Sequence, residues 1–453
     1  MLERRPPSAP PGPRRAFAAV VAPLQAFFRL EAASGLLLLG CAAAALGWAN
    51  LAPASYQAVF SAPLSARVAG HAARFTLLQL VNDGLMTIFF LVVGMEIKRE
   101  LVHGELRTAR QAILPLVAAA GGMVVPAAIY AAWNAGGPGA RGWGIPMATD
   151  IAFCIGVLTL LGGRVPRALV VFVTALAIFD DIGGILVIAV FYGSGLHAGW
   201  LLAAAAVTAV AAALGRARVG SGIGWAAVLA ALWWTLHGAG IHATIAGVVV
   251  GLTVPARPRR PLREVFRELS AHASDLARAA ADEDHDEAAA NAIEERLEDL
   301  EAPLTRFVHA LHPWVAFAVM PLFALANSGV TLAAVERSQL VGDVAVGTAV
   351  ALFAGKQVGI FAFTAVAVRL GLAPSPGGAS WRKLLGVSMV AGIGFTVALF
   401  IAGLAFAGDA RLLDEAKLGI LAGSLVSGVA GGLLLRATGA VTPSADGAEG
   451  RAG

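Results

Sequence analysis

Charge is what this 453-residue chain has least of: Asp, Glu, Lys and Arg together make up 14% of it, against about a quarter in soluble domains. With 58% hydrophobic residues, the composition excludes an ordinary soluble globule and fits a polytopic membrane protein whose first partner is the lipid bilayer. The formal net charge is only +4 and is spread along the chain, so nothing argues for nucleic acid. Cysteine is nearly absent. Cys41 and Cys154 are the only two, both in apolar segments, where they read as packing residues rather than disulfide or metal ligands. No HExxH, CxxC or P-loop pattern occurs, and no cofactor is expected. Residues 1–25 carry Arg4, Arg5, Arg14 and Arg15 but no short apolar core before a small-residue cleavage site. They read as a disordered cytoplasmic tail rather than a signal peptide, with 437–453 as the C-terminal counterpart.

What is abundant is long apolar runs. Twelve reach spanning length, near 30–50, 77–96, 112–133, 145–161, 168–192, 198–214, 222–237, 239–254, 312–328, 344–368, 384–407 and 418–436. The fold class expected is therefore an all-α polytopic membrane protein with twelve transmembrane helices and a membrane domain over 26–436. With the N-terminus inside, 26 of the 33 Lys and Arg fall in cytoplasmic regions, 6 fall in external loops, and Lys356 lies inside a span. That asymmetry predicts cytoplasmic termini on both ends. Residues 255–302 hold thirteen of the 29 acids, with Leu262, Val265, Phe266, Leu269, Ala273 and Leu276 at helical spacing. They read as a cytoplasmic acidic helical insertion.

Inside the spans the ionisable residues are few: Asp83, Asp150, Asp180, Asp181 and Lys356, with Glu96 near a segment end. Four midspan carboxylates facing lipid would cost about 10–14 kcal/mol, comparable to the whole stability of a domain. They must face protein or water, be paired, or be protonated. Asp180 and Asp181 are adjacent in Ile178-Phe179-Asp180-Asp181-Ile182-Gly183. Neighbours on a helix project about 100° apart, so one can face an aqueous funnel while the other faces a neighbouring helix, and the pair titrates as a coupled unit. Carboxylates at that depth bind cations or carry protons. Pro146 and Thr149 suggest an interruption of segment 4 beside Asp150, and Gly392 and Gly394 suggest one in segment 11. Broken helices at bilayer depth point to a transport site. Asp150 would compensate positive helix ends there and Lys356 negative ones, with Lys356 as partner of Asp180 or Asp181. Asp83, flanked by Asn82 and Gly84, is a supporting or funnel-lining residue. Glu96 and Arg99 form a charged cluster at a segment end, and His242, His309 and His312 are of the type that titrates near neutrality. On these residues alone a cation channel remains an alternative. An aspartyl protease is disfavoured, because adjacent helix positions do not converge on one water.

The same stretches, Val81-Asn82-Asp83-Gly84-Leu85-Met86 through Gly94-Met95-Glu96-Ile97-Lys98-Arg99-Glu100-Leu101, Ala148-Thr149-Asp150-Ile151-Ala152-Phe153, the Asp180–Asp181 segment, Ile241-His242-Ala243-Thr244, Leu311-His312-Pro313-Trp314, Phe323-Ala324-Leu325-Ala326-Asn327-Ser328-Gly329, Gly355-Lys356 and Gly392-Ile393-Gly394-Phe395-Thr396, resemble the NhaA sodium/proton antiporters in order, over about residues 28–436. The resemblance implies inverted-topology repeats of segments 3–5 and 10–12, with segments 4 and 11 interrupted near the midplane. It implies a homodimer contacted through the loop 51–76, a place in a bacterial inner membrane, and electrogenic exchange of Na+ or Li+ for H+ by alternating access. Asp180 and Asp181 become the ion-binding acids, Thr149, Asp150, Lys356 and Asp83 their support, and Glu96, Arg99 and His242 pH-response residues. K+ as the preferred ion remains an alternative. Two departures stand out: Val308, where some relatives carry glutamate, and the length of the 255–302 insertion.

Overall fold

The computed structural model describes residues 33–68, 71–193, 195–258, 267, 301–333 and 341–438. The N-terminal tail 1–25, almost all of 437–453 and most of the acidic stretch 255–302 lie outside the described residues. Helix α1 (Ala33–Leu51) is followed by α2 (Pro53–Phe60), which opens on proline at N1, where the missing N–H costs nothing. An antiparallel hairpin comes next, β1 (Pro63–Val68) and β2 (His71–Thr76), in the register Pro63↔Thr76 to Val68↔His71. Thr76 and Gln79 then form a capping box that starts α3 (Leu77–His103).

The remaining helices are α4 (Ala109–Trp133), a 3-10 stretch Pro138–Met147 leading to α5 (Ile151–Leu160), α6 (Arg167–Phe191), α7 (Ala198–Arg216), α8 (Gly222–Ala239) and α9 (Ile245–Thr253). After the acidic stretch come α10 (Pro303–Asn327) and α11 (Asp343–Arg369), α12 (Trp381–Val390), α13 (Phe395–Ala405) and α14 (Ala410–Ala437). Each of α3, α10 and α11 contains a π-helical turn, at Leu80–Leu85, Val315–Val319 and Ala351–Gly355, a feature that accompanies functional sites more often than chance. The first contains Asp83 and the last immediately precedes Lys356.

Among the described residues eight helices are long and apolar enough to cross a membrane, and ten spans result if each bent pair counts as one. The sequence count was twelve. The difference lies at segments 7 and 8, which correspond to the 18-residue α8 and the nine-residue α9. Gly240, at φ +80°, closes α8 in the left-handed conformation that glycine adopts freely. The turn that follows delays α9 to Ile245, leaving a helix well short of the roughly 20 residues a span needs.

The two bent pairs match each other: Pro138–Met147 with α5 at 47°, and α12 with α13 at 46°. They are the two interruptions expected from Pro146 and from the Gly392–Gly394 pair. Helix α6 is the most enclosed of the eight candidate spans, 61% of its apolar window being buried, whereas α7 is 11% buried and faces outward. The acids of α6 therefore sit at the centre of the bundle.

Candidate functional site

The two breaks lie against each other. Asp150 N–H donates to Ile393 O at 2.7 Å, the Thr149 hydroxyl lies 3.0 Å from Ala391 O, and the Cys154 thiol donates to Val390 O at 3.2 Å. The approach is tight at Gly394, where a Cβ would stand 3.0 Å from Ala148 O. Three carbonyls at the end of α12 and in the unwound segment thus find donors on the partner break, which answers the orphaned acceptors that any helix end carries.

The other ends are met by Asp150. Its Oδ1 accepts from Phe153 N–H at 3.1 Å, capping α5. Its Oδ2 accepts from Thr396 N–H at 3.1 Å and from the Thr396 hydroxyl, in the first turn of α13. One carboxylate therefore faces two helix N-termini, each worth about half a positive charge. The expectation for Asp150 is met by this geometry. That for Lys356 is not: among the described residues its ammonium bonds to Asp180 and Thr149 and to no helix C-terminal carbonyl, and Thr149, Cys154 and the Asp150 N–H serve those ends instead.

Lys356 turns to α6. Its Nζ donates to Asp180 Oδ2 at 2.6 Å and to Thr149 Oγ1 at 2.9 Å. The Thr149 hydroxyl lies 2.7 Å from the same carboxylate oxygen, so its one proton has two acceptors, Asp180 and Ala391. Both side chains of the Lys356–Asp180 pair are 0% exposed. Asp180 Oδ1 is buried with no hydrogen-bond partner among the described residues, whereas buried polar atoms are ordinarily bonded.

Asp181, one residue on, projects elsewhere. It lines a cavity of about 110 Å³ together with Thr149, Asp150 and Thr396, and with Glu96, Arg99, Glu100 and His312 towards the far end of α3. His312 Nε2 stands 4.0 Å from Glu96 Oε1. The 100° divergence of the two acids thus resolves into one enclosed carboxylate bound to a lysine and one that lines a cavity.

Five sequence candidates converge here: Thr149, Asp150, Asp180, Asp181 and Lys356. Glu96 and Arg99 line the same cavity. Asp83 and His242 do not join them. His242 Nε2 lies 3.9 Å from Asp83 Oδ1, and both line a different cavity of about 210 Å³. Glu96, Arg99 and His242, grouped in the sequence reading, are therefore divided between two places. Thr396 and His312 were not singled out as site residues. The signal for Thr396 lay in the need of a second helix N-terminus for a partner, once Asp150 was placed at the first.

Comparison with known proteins identifies the family. The family model described as Na+/H+ antiporter 1 matches residues 25–435. An Na(+)/H(+) antiporter NhaA of Anaeromyxobacter sp. (strain Fw109-5) is 68% identical over 96% of this chain and 94% of its own length. Na(+)/H(+) antiporter NhaA 1 of Myxococcus xanthus (strain DK1622) is 57% identical over 96% and 98%. The NhaA of Rhodospirillum rubrum is 47% identical over 91% and 98%. A chain whose breaks, buried ion pair and cavity are arranged in this way, and which matches that model over nearly its whole length, belongs to the Na+/H+ antiporter 1 family, a family of multi-pass membrane transporters rather than enzymes.

Proposed function

We propose that this protein is an electrogenic, pH-regulated antiporter that extrudes Na+ or Li+ in exchange for entering protons by alternating access, with cation and protons competing for Asp180 and Asp181. The observation that carries the reading is the fully buried Lys356–Asp180 pair beside an Asp181 that lines a cavity. A buried ion pair is held by mutual compensation, since removing either charge strands the other. A cation that takes the place of the ammonium satisfies Asp180 equally, so Lys356 and Na+ are alternative partners of one carboxylate. The oxygens available are Asp180 Oδ1, the Asp181 carboxylate and the Thr149 hydroxyl, hard ligands suited to a hard cation. The same oxygens accept protons, which makes the two loads mutually exclusive.

In the structure described, Asp181 is reached from the cavity that holds Glu96 and Arg99. This supports assigning that cavity to the cytoplasmic side, as does the 26-to-6 distribution of basic residues, and with it cytoplasmic termini in a bacterial inner membrane. The 47° and 46° bends support inverted repeats, in which α4 to α6 are mirrored by α11 to α14. Twelve spans follow when α8 and α9 are counted as the seventh and eighth. On this reading residues 26–436 form the membrane domain, 255–302 the cytoplasmic insertion, and the β1–β2 hairpin the homodimer contact. Glu96 and Arg99 shape the response to cytoplasmic pH. Each net charge moved inward gains about 2.3 kcal/mol per 100 mV of membrane potential, enough to drive uptake of more protons than sodium ions released.

The test is exchange in proteoliposomes, followed with a pH-sensitive dye while Na+, Li+ or K+ is added over pH 6–9. Wild-type protein is expected to respond to Na+ and Li+, and Asp181→Asn to neither. Normal sodium-dependent flux in Asp181→Asn would sink the assignment of the site, and a response to K+ alone would sink the choice of ion.

A further inference from the structure

If a cation takes the place of the Lys356 amino group at Asp180, that group has to go elsewhere within a fully buried site. A buried N–H needs an acceptor, and the helix that packs along the lysine stem is α4. From Ala112 to Ile129 no side chain of α4 carries a nitrogen or an oxygen. Any acceptor it offers there is therefore a backbone carbonyl, and in an unbroken α-helix each carbonyl already receives the N–H four residues on.

Two prolines lie inside α4, Pro115 and Pro126. Proline has no N–H to give, so each leaves the carbonyl four residues before it without its helical donor. Those carbonyls belong to Gln111 and Gly122. Gln111 stands in the first turn of the helix, about 17 Å from Gly122 along the axis. Gly122 is buried and lies beside Lys356: a Cβ on Gly122 would stand 3.8 Å from Lys356 Cδ and 2.8 Å from Ile360 Cγ1. One turn further along α4, a Cβ on Gly355 would stand 2.7 Å from Pro126 Cα, so the two backbones touch where the proline sits. Positions 122 and 126 share a helix face, and a helical carbonyl points toward the C-terminal end. Gly122 O therefore points toward Pro126 on the face that α11 covers. Of the two side chains that a Cβ on Gly122 would meet, Ile360 and Lys356, only Lys356 has an N–H to give.

We propose that Gly122 O, released by Pro126, is the second acceptor of the Lys356 amino group, taken up when a cation displaces it from Asp180. The inference rests on the antiport reading above and adds to it the place to which the lysine withdraws. In the structure described, Nζ bonds Asp180 and Thr149. With Cδ already beside Gly122, rotation about the outer bonds of the side chain carries Nζ from α6 to α4. The amino group has N–H donors with or without its third proton, so the new bond forms in either state. Breaking the buried pair then strands neither member, because Asp180 takes the cation and Lys356 takes the carbonyl. Thr149, released in the same move, turns its oxygen to the cation.

The test restores the missing donor. Pro126→Ala and Pro126→Val each supply an N–H that bonds Gly122 O within α4, and valine keeps more of the ring's bulk against Gly355. Both variants mend the helix and are expected to fold. The half-saturating Na+ concentration is measured at pH 8 on purified protein for wild type, both proline variants, Lys356→Met, and each proline variant combined with Lys356→Met. With Lys356 present, both proline variants are expected to need about fivefold more Na+ than wild type, the ratio for one ordinary hydrogen bond. In the Lys356→Met background the same substitutions are expected to change nothing, since no amino group has to be accommodated. Lys356→Leu replaces the methionine variant if that protein is not recovered from the membrane. An equal shift in both backgrounds would mean that the bend of α4 alone matters, and it overturns the proposal. Wild-type exchange of Na+ for H+ in proteoliposomes is followed in parallel. If exchange is present and the proline variants bind Na+ as wild type does, the inference falls and antiport stands. If wild type shows no exchange, the antiport reading falls and the inference with it.

Discussion

Lys356 and Asp180 are opposite charges 2.6 Å apart with no solvent on either side chain, and Thr149 completes the triangle. Removing one member of such a pair strands the other in a dry site at about 3–5 kcal/mol, whereas replacing both by neutral groups of similar size is close to neutral. Lys356→Met should therefore lower the thermal midpoint of the detergent-solubilised protein by several degrees. The Asp180→Asn/Lys356→Met double variant should return most of that loss while remaining inactive in transport. Additive losses would mean that the two residues are not each other's partner. At this scale the sequence announced the charges but not their pairing. Nothing in Asp180 and Asp181 as adjacent letters says which faces the lysine, because that depends on how α6 is rotated against α11. The bond from Thr396 to Asp150 joins positions 246 apart in the chain and is a product of tertiary packing alone.

At the scale of elements, the site depends on how closely α4 and α11 approach. Gly121 and Gly359 face each other there, and a Cβ on either would overlap the other's carbonyl oxygen. Small residues of this kind let helix backbones touch in a membrane. Gly359 follows Lys356 by less than one turn, so the contact helps fix where the ammonium points. Gly359→Ala should force the helices apart at about 1–3 kcal/mol, lowering the thermal midpoint and the rate of exchange together, whereas alanine at the outward-facing Gly199, with nothing within 4 Å, should change neither. An unaltered rate in Gly359→Ala would show that the crossing does not position Lys356. The helix breaks were legible from proline and paired glycines, substitutions that a continuous apolar helix resists. The shortness of α9 was not, since an apolar run reads alike whether its first residues form a helix or a buried turn.

At the scale of the molecule, two cavities lie against opposite halves of α3, one reaching Asp181 and the broken helices and the other reaching Asp83. Composition made the membrane class plain, and apolar runs located the helices, although α3, α10 and α14 extend seven to nine residues beyond the runs at one end. The division of Glu96 and Arg99 from His242 needed three dimensions, because residues far apart in sequence share a cavity only after folding. What unites the molecule is a single claim, that one carboxylate pair is loaded either with a cation or with protons. The most direct test is to add Na+ to the purified, weakly buffered protein and count the protons that leave. The account predicts that Na+ binding releases protons, that its apparent affinity falls as the medium is acidified, and that both effects vanish in Asp181→Asn. Saturable Na+ binding at these residues with no proton released at any pH between 6 and 9 would contradict it.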